Sequence, residues 1–201
     1  MNYLAHLYLS GPTAGIKVGN FIGDYVKGNR HNRYAPEIQK GILLHRQIDF
    51  FMDRHPIVRE SAAVFKPQYR RYASVVIDII YDHLLAANWN QHHEQSLHQF
   101  VSDTHRILLR HYFILPGVVK QFLPFLIKSR RMEHYRLISG LERTLKIMSS
   151  HSSLPDHSQW AVEQLTANYE VLNQQFEYFF AEVKSMCERY LAEDLIQKQA
   201  I

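Results

Sequence analysis

The stretch Leu165–Tyr190 reads LTANYEVLNQQFEYFFAEVKSMCERY, and its apolar residues decide the fold class. Leu165, Tyr169, Leu172, Phe176, Phe179, Val183, Met186 and Tyr190 recur at alternating steps of four and three. A strand would alternate every second residue. A helix places this series on one face. The spacing predicts one long amphipathic C-terminal helix, started by Asp156 or Ser158 as its cap, with an aromatic-rich stripe packed on the body of the protein.

The same period continues outward through most of the chain. Thr13–Lys27 closes at Gly28, and Pro36–Asp53 and Pro56–Phe65 each open on a proline, the residue best tolerated in a first turn. Arg71–Trp89, Ser96–Tyr112, Gly117–Ile127 and Arg131–Met148 follow, then a polar loop at Ser149–Ser153. No stretch alternates for long enough to read as a strand. The prediction is an all-α domain over 1–201, a bundle of roughly eight helices.

Composition sets the remaining bounds. The chain has 201 residues, 46% of them hydrophobic and 21% charged, which excludes disordered and low-complexity classes. Its single cysteine, Cys187, excludes an internal disulfide framework and suits a reducing compartment. With no apolar run of ~20 residues and no basic leader, the expected location is the cytoplasm. The net charge of +4 conceals a polarity. Residues 1–160 carry 20 basic and 12 acidic side chains, and residues 161–201 carry 3 and 7.

Function is signalled by polar residues in apolar settings. His45 and Asp49, four apart, project from the face that carries Ile38, Ile42, Ile48 and Met52. Asp78, Asp82 and His83 interrupt the run Val75–Leu85. Asn20 and Asp24 are four apart beside Gly19 and Gly23, and His6 lies within Leu4–Leu7. Burying carboxylates without a counter-charge is costly. Two arrangements satisfy four such segments. One is a shared divalent ion (Mn²⁺, Fe²⁺ or Mg²⁺), suited to mixed imidazole and carboxylate ligands. The other is a buried ion-pair network using Arg46 and Arg54. The shared ion is the more economical.

The segments Asn2–Leu7, Gly19–Gly28, Gly41–Asp49 and Asp82–Leu85 together resemble acyl carrier protein phosphodiesterase, also called holo-acyl-carrier-protein hydrolase. The similarity extends along most of the chain, and its specific motifs lie in the first half. It implies a divergent, all-helical HD-type phosphohydrolase. This chain departs from the usual HD signature: Arg46 follows His45, and the adjacent pair runs Asp82-His83. The implied reaction is metal-dependent hydrolysis of the phosphodiester joining 4′-phosphopantetheine to a carrier-protein serine.

On this resemblance Asp24, His45, Asp49, Asp82 and His83 are the expected metal set, with Mn²⁺ the expected ion. His6 and Asn20 are expected as further ligands or as residues that orient them, and Asp78 is expected to orient them too. His6 and His83 are the candidate general acids, and Arg46 the phosphate contact. Lys27, Arg30 and Arg33 form a basic cluster after Asp24, with Arg46 nearby, and would meet an acidic carrier protein. Arg70-Arg71 and Lys128, Arg130, Arg131 are further clusters. No nucleic-acid motif accompanies the basic charge. The alternatives are a related phosphohydrolase acting on a nucleotide or other small phosphodiester, and a non-enzymatic helical module for acidic proteins.

Overall fold

The computed structural model describes residues 2–199, with side chains for residues 2–192. Thirteen α-helices occupy the described residues, and no strand occurs among them. They are α1 (Tyr3–Tyr8), α2 (Ala14–Ile22), α3 (Pro36–Arg54), α4 (Pro56–Ala63), α5 (Lys66–Tyr69), α6 (Ala73–Ala87) and α7 (Trp89–His92). Then come α8 (Leu97–Arg110), α9 (Gly117–Lys128), α10 (Arg131–His134), α11 (Ile138–His151), α12 (Ser158–Ala167) and α13 (Tyr169–Gln199). The all-α class follows directly.

The count exceeds the sequence estimate because long periodic segments are cut by short turns. The C-terminal series is not one helix. Asn168 leaves helical geometry with φ −116 and ψ 19, and its amide donates back to the Gln164 carbonyl, so α12 and α13 are separate. The Asp156 side chain accepts from the Ser158 hydroxyl at 2.9 Å, at the start of α12 rather than of the long helix. Arg131–Met148 divides into α10 and α11, and α11 runs on to His151 through the expected loop. Past Ile22 the chain tightens into a 3₁₀ turn at Gly23–Tyr25, and a second, Gly28–Arg33, begins on Gly28 with φ +56. That left-handed conformation suits a residue without Cβ.

The core is built around α6. Val76, Ile77, Ile79, Ile80, Tyr81, Leu84 and Leu85 are all buried, which is why its sequence reads apolar on every side. The α13 stripe packs onto this core through Leu172, Phe176, Phe179 and Val183. One polar knot ties three helices there. Ser61 Oγ lies 2.8 Å from the Tyr81 hydroxyl and donates to Gln175 Oε1 at 2.6 Å. Cys187 is buried, and burial pushes its thiol up to about 12, so it is an inert packing residue. Three of the charges counted in the C-terminal segment, Glu193, Asp194 and Lys198, lie outside the described side chains. Among the described residues no helix is long and apolar enough to cross a membrane.

Candidate metal centre

Helices α2 and α3 cross with their backbones in contact. A Cβ on Gly19 would collide with the Ile38 carbonyl, and one on Gly41 with the Ile16 carbonyl. This crossing brings the Asn20 carbonyl within 2.8 Å of His45 Nδ1. Just beyond it, a Cβ on Gly23 would strike the His45 imidazole, so the ring fits only because that position is glycine.

Asn20 fixes a second ring as well. Its amide nitrogen donates to the His6 carbonyl at 2.8 Å and to Ser10 Oγ at 2.9 Å. Its Oδ1 therefore accepts, at 2.8 Å, from His6 Nδ1. With both Nδ1 atoms donating to oxygens, the hydrogen-bond network assigns the outward lone pairs to the two Nε2 atoms.

Those Nε2 atoms converge. The rings of His6 and His45 stack with centroids 4.1 Å apart. His6 Nε2 is 3.3 Å from Asp49 Oδ1. His45 Nε2 is 3.1 Å from Asp49 Oδ2 and 3.3 Å from Asp24 Oδ1. Yet neither buried Nε2 has an aligned hydrogen-bond partner. Lone pairs facing carboxylate oxygens at this range repel one another unless a cation lies between them. A proton is one such cation, and a divalent ion is another. Donor atoms of His6, His45 and Asp49 all lie within 4.8 Å of one another, and Asp24 adds a fourth oxygen donor beside them. Mixed nitrogen and oxygen donors with two ionised carboxylates fit a divalent first-row ion.

Electrostatics agree with the geometry. Burial alone would lower His45, but Asp24 and Asp49 outweigh it and hold the imidazolium up to about 9. Burial pushes His6 down to about 4, helped by the charge of His45. The Asp49 carboxyl is held well below the usual range, because the two imidazoles overcome the opposing effect of burial. The neighbouring His45 imidazole does the same for Asp24. Near neutral pH the cluster is thus two carboxylates, one neutral imidazole and one imidazolium.

Four of the residues singled out in the sequence meet here: His6, Asp24, His45 and Asp49. Asn20 orients the rings. Asp78 lines the same cleft, a space of about 330 Å³ walled also by Tyr3, Phe21, Tyr25, Val75 and Met148.

Other assignments are corrected. Asp82 is not with the metal donors. Fully buried, its carboxylate accepts from the backbone N–H of Leu4 at 2.8 Å and of Ala5 at 3.1 Å, capping the start of α1. Burial pushes its carboxyl up to about 7 despite these two bonds. His83 turns its Nδ1 to the Tyr135 carbonyl at 2.6 Å and does not line the cleft. His6, expected as a general acid, carries its proton on the nitrogen bound to Asn20 and offers a lone pair to the cluster. Arg46 does not face the cleft either. Its Nη2 donates to the carbonyls of Val26 at 2.9 Å and Gly28 at 2.7 Å, which holds the following 3₁₀ turn in place. Lys27, Arg30 and Arg33 are exposed on that turn. Tyr3 and Tyr25 were not singled out, although Tyr3 precedes His6 by one helical turn and Tyr25 adjoins Asp24.

Comparison with known proteins places the chain in a family. The family profile of acyl carrier protein phosphodiesterase matches residues 1–183. An acyl carrier protein phosphodiesterase of Yersinia enterocolitica is 29% identical over 189 residues, covering 94% of this chain and 98% of that protein. One from an Enterobacter species is 32% identical over 184 residues, 90% of this chain and 94% of its own length. One from Salmonella agona is 31% identical over 193 residues, with 94% and 98% covered. No solved structure matches the chain. With the profile spanning nearly the whole chain and relatives above 30% identity aligned along most of it, the protein belongs to the acyl carrier protein phosphodiesterase family.

Proposed function

We propose that the protein hydrolyses the phosphodiester between 4′-phosphopantetheine and a serine of holo-acyl carrier protein, using a divalent ion held by His6, Asp24, His45 and Asp49. The observation that carries this reading is the pair of buried Nε2 atoms without aligned partners, aimed at two carboxylates beside an open cleft, in a chain of this family. Mn²⁺ is the proposed ion for these mixed imidazole and carboxylate donors, with Mg²⁺ or Fe²⁺ as substitutes. Bound there, a divalent ion makes water more acidic and neutralises charge growing on phosphoryl oxygens.

The chain's own residues do the rest. Asn20 keeps both imidazoles in the ligating tautomer. Asp78 stands on the cleft wall beside this cluster. The carrier protein docks on Lys27, Arg30 and Arg33. Among the described residues these three make no ion pair, so their charge is available to an acidic partner. Arg46 contributes by fixing the backbone of that turn. The single buried thiol supports a cytoplasmic location.

The test is conversion of holo- to apo-carrier protein followed by mass spectrometry, with and without Mn²⁺. Loss of the phosphopantetheine mass only when metal is supplied, and its disappearance in Asp49→Ala, is the expected result. A folded, metal-loaded protein that leaves the holo form intact overturns the reading.

A further inference from the structure

The hydroxyls of Tyr3 and Tyr25 lie 2.8 Å apart on the cleft wall, and neither makes another hydrogen bond among the described residues. Two phenols carry two protons, and one hydrogen bond between them uses one. Whichever hydroxyl donates, the other keeps an O–H without an acceptor. Their rings are held in place. Tyr3 packs on Phe21 at 5.1 Å and stacks on Phe122 at 6.0 Å, while Tyr25 lies 5.6 Å from Phe122.

The surroundings specify the acceptor. Among the described residues the cleft lining includes no lysine or arginine, and the donor pair stands beside Asp24, one residue from Tyr25. What the wall offers a ligand is therefore a neutral, oriented O–H next to a metal-binding carboxylate. An oxygen without a proton, carrying partial negative charge and already near the ion, is its complement.

We propose that Tyr3 and Tyr25 act as one unit that donates a hydrogen bond to a non-bridging phosphoryl oxygen of the substrate phosphodiester. This rests on the phosphodiesterase reading above. Because the proton belongs to the pair, removing either hydroxyl leaves the other with an uncommitted O–H. Single variants should therefore keep most of the function, and the double variant should lose it.

The experiment titrates dimethyl phosphate into the Mn²⁺-loaded full chain by calorimetry, for wild type, Tyr3→Phe, Tyr25→Phe and the double variant. Turnover of holo-carrier protein is measured in parallel. Affinity for dimethyl phosphate should fall about tenfold or more only in the double variant, the loss expected for one hydrogen bond to an anion. Its kcat should fall about 10²-fold, with Mn²⁺ affinity unchanged. A double variant that binds and turns over like wild type overturns the proposal, as does a wild type that does not bind dimethyl phosphate. Intact dimethyl phosphate binding that depends on the pair, without turnover of carrier protein by wild type, overturns the substrate assignment and leaves this proposal standing. Should the double variant not fold, the ultraviolet difference spectrum of wild type decides. Dimethyl phosphate must perturb the tyrosine band in wild type and, through the remaining Tyr3 phenol, in Tyr25→Phe as well; an unperturbed band overturns the proposal.

Discussion

Raising the pH should tighten Mn²⁺ binding by a predictable amount, because the ion competes with a proton for one atom. In the metal-free protein the Asp24 and Asp49 carboxylates hold His45 at about 9. An imidazole must lose that proton before Nε2 can ligate. His6, pushed down to about 4, is already neutral, and both carboxylates are already ionised. One proton, not two or three, therefore leaves for each ion bound. Between pH 6.5 and 8.5 the neutral fraction of His45 rises about 80-fold for a midpoint of about 9, and the apparent Kd should fall by the same factor. Above pH ~9 the dependence should flatten. Calorimetry at pH 7.5 in two buffers of different ionisation enthalpy counts the released protons directly. A pH-independent Kd over that range, or a count of zero, refutes the reasoning. The same group imposes a linked dependence on stability. Its folded value lies above the unfolded 6.5, so the stabilisation is fully present below pH 6.5 and is lost as the pH rises through about 9.

Three other outcomes follow from the site's construction. Asn20→Leu removes the acceptor that holds His6 but leaves the backbone carbonyl that holds His45, and should weaken Mn²⁺ binding by about 10- to 100-fold, read by titration under electron paramagnetic resonance. Asp82→Ala leaves two buried N–H groups at the start of α1 without acceptors and should destabilise by about 2–4 kcal/mol, measured by urea denaturation. Gly23→Ala places a methyl against the His45 ring and should cost about 1–3 kcal/mol while also lowering metal affinity; a variant with wild-type stability and wild-type Mn²⁺ binding contradicts the packing described.

Much of this was legible in the chain. Pro36, Pro56 and Ser96 open α3, α4 and α8 where a sequence reading places them, because first-turn prolines and side-chain caps act locally. The pairing of His45 with Asp49 is equally local, one helical turn on one face. What the chain withheld depends on tertiary contacts. Nothing near Asp82 in the sequence reveals that its partners are the backbone N–H groups of Leu4 and Ala5. A buried aspartate in an apolar helix reads the same whether it binds an ion or caps a distant helix. Arg46 likewise looks like a phosphate contact until Val26 and Gly28 supply its acceptors. The split at Asn168 escaped because the apolar period continues across it unchanged.

The glycine contact between α2 and α3 also governs what metal uptake does to the rest of the molecule. Where two backbones touch, no layer of side chains remains to slide or repack, so the donors on those helices are set before an ion arrives. Binding then removes little apolar surface from water, and the heat-capacity change of Mn²⁺ uptake should be close to zero. The enthalpy measured at 10 °C and at 35 °C should be nearly the same. The centre should behave as a rigid socket, with the ion's imprint read in melting temperature and not in shape.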